Sequence, residues 1–174
     1  EDFVLTDLDA NFTLNSSQTG SIIIATTDDT LDTLSGQKVP GLTLKAPVGA
    51  SVFTPMTTLL VELENTGLSS TEAEKKLKDA LGLPDVDLKT FDPSVDIAND
   101  KSVTYLNAAA QVVGTLKSLS GAVATSDTNV TEDQVFKSGI SVLTQKIATL
   151  ASTDSIDFKQ ESLIEDLGSA LKTE

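Results

Sequence analysis

The sequence predicts an α+β fold in which a short β-rich segment, residues 1–52, precedes a bundle of about five α-helices, residues 53–174. Three observations predict it. Ser21-Ile22-Ile23-Ile24-Ala25-Thr26-Thr27 is a run of strand-favouring residues closed by an acidic break. After Thr54 the apolar residues recur at helical rather than alternating spacing. Helix-start signals then stand at Thr54-Pro55, Ser69-x-x-Glu72 and Thr131-x-x-Gln134.

Taken in order, Phe3-Val4-Leu5 and Phe12-Thr13-Leu14 flank the turn-like Asp7-Leu8-Asp9-Ala10-Asn11 and predict a hairpin. Ser21 to Thr27 is the strongest strand, and Gly41 to Ala46 is a second, short one closed by Pro47 and Gly49. Thr54 supplies a capping hydroxyl before Pro55, and Met56, Leu59, Leu60 and Leu63 form one apolar face of a helix that Gly67 ends. Ser69 and Glu72 form a capping box for the next helix, with Ala73, Leu77, Ala80 and Leu81 inward and Gly82 as terminator.

Asp85 to Pro93 reads as an extended connection. Val103, Leu106, Ala110, Val113 and Leu116 then mark a helix from about Asp100 to Leu119, whose Ala108-Ala109-Ala110 run permits close helix contact. Thr131 and Gln134 cap a helix with Val135, Ile140, Leu143, Ile147 and Leu150 inward. Asp157-x-x-Gln160 is expected to cap the last, with Leu163, Ile164, Leu167 and Leu171 inward.

Composition narrows the function. Of 174 residues 39% are hydrophobic but only 4% aromatic, so the core has to be aliphatic. The 26 acidic residues outnumber the 12 cationic ones, a net charge of −14, which disfavours nucleic acid and anionic membrane surfaces as partners. All the cations are Lys, and Arg, His, Cys and Trp are absent. That removes imidazole bases, thiol nucleophiles, Cys/His zinc sites and guanidinium clamps, and the expectation is a chain that is not an enzyme. No window approaches the roughly 20 apolar residues of a membrane-spanning helix. The chain begins at Glu1 without a recognisable leader, which reads as a mature or excised product of a longer protein.

Thr54-Pro55-Met56-Thr57-Thr58 carries three hydroxyls, but helix capping explains it better than nucleophilic chemistry. Asp7-x-Asp9-x-Asn11 opens like a calcium loop, yet Phe12 and Gln18 stand where such a loop needs Gly and Glu, and a hairpin turn is the better reading. Asp28, Asp29 and Asp32 cluster near a strand end and are the candidate metal ligands, with calcium as the cation their oxygens suit; a solvated turn is the better reading. As paired carboxylates for glycoside hydrolysis they lack aromatic sugar platforms, since the chain has one Tyr. Asn11, Asn15 and Asn129 each open a glycosylation-type triplet of a kind common in Ser/Thr-rich chains.

Thr6-Asp7-Leu8-Asp9-Ala10-Asn11-Phe12-Thr13-Leu14, the Ile22-Ile23-Ile24 strand, Asp32 to Gln37 and Leu44-Lys45-Ala46-Pro47-Val48-Gly49 run into Val52-Phe53-Thr54-Pro55-Met56-Thr57-Thr58-Leu59-Leu60. Over about Thr6 to Pro93 this resembles modules of very large secreted adhesin-like surface proteins of aquatic bacteria. In them a β part similar to carboxypeptidase-regulatory or pilin-type domains leads into a helical part. The resemblance implies an extracellular or cell-surface structural module and carries no catalytic residues. The chain departs from the pattern at Ala10, where a turn Gly is usual, and in lacking the earlier strands of the sandwich.

A partial sandwich leaves strand edges to be covered. The expected partners are therefore copies of the chain or neighbouring modules of a longer protein, with no nucleic acid and no membrane insertion. Phe3, Leu5, Phe12, Leu14, Ile22 and Ile24 are the expected self-association residues, and Glu1 to Leu14 is the expected donated strand. The competing arrangement is a hairpin closed within the chain by Leu42 to Ala46. The alternative function is a calcium-dependent module that binds carbohydrate or another surface.

Overall fold

The computed structural model describes residues 7, 12–13, 20–27, 29–31, 42–126, 129–151 and 153–171. Among the described residues two strands, β1 (Ile22–Ala25) and β2 (Thr43–Ala46), precede five helices: α1 (Pro55–Asn65), α2 (Ser70–Leu81), α3 (Asp100–Ser126), α4 (Glu132–Thr149) and α5 (Glu161–Ala170). This is the α+β order that the sequence predicts. The expected hairpin of Phe3 to Leu14 falls almost wholly outside the described residues.

Helix α1 is the hub. Its start is fixed by a reciprocal cap: the Thr57 N–H donates to Thr54 Oγ1 at 3.1 Å, and the Thr54 N–H donates to Thr57 Oγ1 at 2.9 Å, with Pro55 opening the first turn. Met56, Thr57, Thr58, Leu59, Leu60, Val61 and Leu63 are all buried, because β2, α2, α3 and α4 pack around it. A helix hydrophobic on nearly every side belongs in the centre of a core.

Helix α2 is amphipathic and lies on α1 and α4 through Ala73, Leu77 and Ala80. Ser69 and Glu72 form its capping box, and hydrogen bonds from the Ser69 hydroxyl and N–H hold the Glu72 carboxyl below the usual carboxylate value. Gly82 ends it in the left-handed conformation, φ +60°, which a side chain would resist. Thr131 and Gln134 cap α4 in the same reciprocal way.

Four expectations are corrected. Asp85 to Pro93 is not extended: the Thr90 and Phe91 N–H groups donate to the Asp87 carbonyl in a tight turn that drives Leu88 into the core. Helix α3 does not stop near Leu119 but runs to Ser126, since burial of Ser120 and Val123 carries it past the Ser120-Gly121 pair. Its buried face is Ser102, Tyr105, Ala108, Val112, Leu116, Ser120 and Val123, so Leu106 and Val113 are only half-buried and Val103 is exposed. Asp157 does not cap α5: its carboxylate accepts the Lys159 N–H at 3.0 Å, and Gln160 takes the cap position without a side-chain bond.

Helix α4 lies close enough to α3 at Gly139 that a Cβ there would come within 2.9 Å of Leu116 Cδ2. The missing side chain of Gly139 permits that approach, and Leu116 fills the space beside it. One main core then runs from Met56 to Leu167, with a satellite of Val123, Val135 and Leu171 at the far end of α3 and α4. Among the described residues no helix is long and apolar enough to cross a membrane.

Candidate functional site

Among the described residues the β1–β2 hairpin offers a strand edge with unfilled bonding capacity. Ile22 stands opposite Ala46, Ile23 opposite Lys45, Ile24 opposite Leu44 and Ala25 opposite Thr43, in an antiparallel pair. The open end is tied by the Thr26 N–H and Oγ1, which bond the Leu42 carbonyl at 2.9 and 3.0 Å, and by the Leu42 N–H, which donates to Thr26 Oγ1. Thr27 and Thr30 close a small turn beyond it, through a 2.8 Å bond from the Thr27 N–H to Thr30 Oγ1.

One edge of β2 docks on α1. The Lys45 N–H donates to Thr58 Oγ1 at 2.9 Å, while the same hydroxyl donates to the Thr54 carbonyl at 3.0 Å. Lys45 Nζ also reaches Glu62 Oε1 at 2.6 Å. A buried threonine thus stands in for the third strand that β2 lacks, and Ala46 is fully buried beside it.

Because the Lys45 N–H points away from β1, the Ile23–Lys45 pair is of the non-hydrogen-bonded type. The main-chain groups of Ile23 therefore point outward from the other edge of β1, as do those of Ser21 and Ala25, two residues either way. Among the described residues the sheet has two strands, and nothing pairs with this outer edge.

The side chains sort by alternation. Ile22 and Ile24 share their face with Leu44 and the buried Ala46 and are half-buried, whereas Ile23 is 60% exposed. Phe12 is half-buried, with its ring edge-on to Phe53 at 5.3 Å, within the same chain. Phe3, Leu5 and Leu14 lie outside the described residues. Sequence reasoning named Ile22 and Ile24 and passed over Ile23 and Thr58. Strand alternation alone could have separated Ile23 from its neighbours, but nothing in the sequence marks Thr58 as the group that closes the β2 edge.

Of the candidate metal ligands only Asp29 is described, exposed in the turn after β1; Asp28 and Asp32 lie outside the described residues. Among the described residues no group of three or more acidic side chains is placed to hold a metal ion. Two shallow clefts of about 290 and 370 Å³ flank α2. Their ammonium groups are engaged: Lys75 with Asp79, Lys76 with the Leu150 carbonyl, and Lys78 with Glu74. The hydroxyls of Thr54, Thr57 and Thr58 are spent on the cap of α1, on Tyr105 and on β2.

Compared with known proteins, the chain matches no family model, no curated protein and no solved structure.

Proposed function

We propose that the chain is an extracellular structural module of a bacterial surface adhesin or filament, and that it self-associates through its N-terminal β-strands. The observation that carries this reading is the outer edge of β1, whose main-chain groups are unpaired among the described residues and lie beside an exposed isoleucine. An edge of that kind is a template for a further strand, since main-chain hydrogen bonds give affinity and alternate side chains give register. The acidic surface fits an exported protein: a net charge of −14 favours solubility.

The test removes residues 1–25, which takes away β1 and all that precedes it. Sedimentation and electron microscopy of the intact chain are expected to show self-association, and the shortened chain is expected to stay monomeric with its helical circular dichroism retained. An intact chain that stays monomeric at high concentration, or a shortened chain that assembles as before, contradicts the reading.

A further inference from the structure

We infer that the strand completing the β1 edge is β1 of a second copy, paired antiparallel about a two-fold axis through Ile23. This inference rests on the self-association reading above and gives it a partner and a register. The outward main-chain groups of Ser21, Ile23 and Ala25 are evenly spaced about Ile23. A two-fold axis there sets Ile23 against Ile23 and Ser21 against Ala25 of the copy, so that outward groups meet outward groups. The product is a four-stranded sheet in the order β2-β1-β1-β2, with the Lys45 N–H of each outer strand already bonded to Thr58.

Charge favours this occupant. Copies carrying −14 each repel one another over most of their surfaces, but Gly20 to Thr27 is an eight-residue stretch without a charge. It also lacks the lysine, proline or inward charge that natural edge strands use to prevent pairing. Ile23, exposed in the single chain, meets its own copy directly across the new ladder, where paired β-branched residues pack well. The contact is small beside the ~1,200–2,000 Å² of a stable interface, so the dimer forms reversibly with concentration. It is isologous and closes on itself, so association through this edge ends at two copies, which suits the adhesin form of the reading and not the filament form.

The chain contains no cysteine, so Ile23→Cys introduces a single thiol. Directly opposed hydrogen-bonded residues lie ~5.5 Å apart at Cα, within the span of a disulfide. Mild oxidation is expected to convert most of the Ile23→Cys protein to a covalent dimer of twice 18.2 kDa, with Val103→Cys on α3 as the exposed control. Ile23→Pro removes only the outward N–H and leaves the β1–β2 bonds in place. It is expected to halve the mass seen at high concentration while the Lys45 amide stays protected from exchange. Ile24→Pro, which removes an inward N–H, is expected to lose that protection.

Equal cross-linking of the two cysteine variants overturns the inference, as does a dimer that survives Ile23→Pro. If association survives Ile23→Pro but disappears on deletion of residues 1–14, strand donation by the terminal segment is the mode. The self-association reading then stands and the two-fold β1 pairing falls. A chain that is monomeric in every form overturns both.

Discussion

Thr54 Oγ1 and the hydroxyl of Tyr105 lie 2.6 Å apart, joining the first residue before α1 to the buried face of α3 across 51 positions of sequence. Tyr105 is 1% exposed and its ring packs at 5.6 Å from Phe91. Burial pushes its pKa up to about 12, against the hydrogen bond from Thr54, with the Asp92 carboxylate adding to the rise. Thr54 thus caps one helix and satisfies the only buried phenol of another.

This pair gives a clean titration, because Tyr105 is the only tyrosine and there is no tryptophan. A raised pKa favours the neutral phenol in the folded state. Its contribution is fully present below pH about 10 and is lost as pH rises from there through about 12. Tyrosinate absorbance is expected to stay flat through pH 10 in the folded chain and to appear together with the loss of helical signal. Ionisation at pH 10 with the fold intact would show that the phenol is accessible to water.

Thr54→Val removes the cap acceptor and strips Tyr105 of its partner, and is expected to cost about 1–3 kcal/mol in urea unfolding. Tyr105→Phe is expected to cost less, and the double variant less than the sum of the two. Strict additivity would mean that the two hydroxyls do not interact in solution.

In the core, Leu63 and Leu143 are fully buried on α1 and α4. Leu→Ala at either is expected to cost roughly 2–5 kcal/mol in chemical denaturation. Near-zero loss at both would place the core elsewhere.

What the sequence made legible follows from how local the signals are. Caps at Thr54, Ser69 and Thr131 and the stop at Gly82 are short-range chemistry, and all four appear where the residues call for them. The buried faces of α1, α2 and α4 were readable because their inward residues are mostly aliphatic or alanine. The face of α3 was not, because it buries Ser102, Ala108 and Ser120 in preference to Leu106 and Val113. That choice is made by packing between positions distant in sequence, and it leaves the Ser120 hydroxyl without a partner among the described residues. Asp157 misled for a related reason: an Asp three residues before a Gln suits a turn as well as a cap. At the candidate site the strand was legible from its β-branched run. The edge that it exposes depends on which of its neighbours Thr58 holds.

Thr58→Val tests that hold. It keeps the shape of the side chain but leaves the Lys45 N–H without its acceptor, at an expected cost of about 1–3 kcal/mol. Hydrogen exchange is expected to speed up at Lys45 and then along β1, with the amides of α2 and α5 unchanged. Unaltered exchange at Lys45 would show that the docking bond contributes nothing.

Salt separates pairing through an uncharged strand from pairing through charge. Screening shrinks the repulsion between two copies of −14 from a range of ~10 Å at 0.1 M to ~3 Å at 1 M. Association is therefore expected to strengthen with sodium chloride. Weakening would point to ion pairs across the interface.

The central claim, self-association through the β1 edge, is tested most directly by the sedimentation mass of the intact chain measured beside Ile23→Pro over a rising concentration series at moderate salt. The account predicts that the intact chain climbs from 18.2 kDa towards twice that value while Ile23→Pro stays at 18.2 kDa with unchanged helical signal. Superimposable curves for the two proteins, whether both monomeric or both associating, would contradict it.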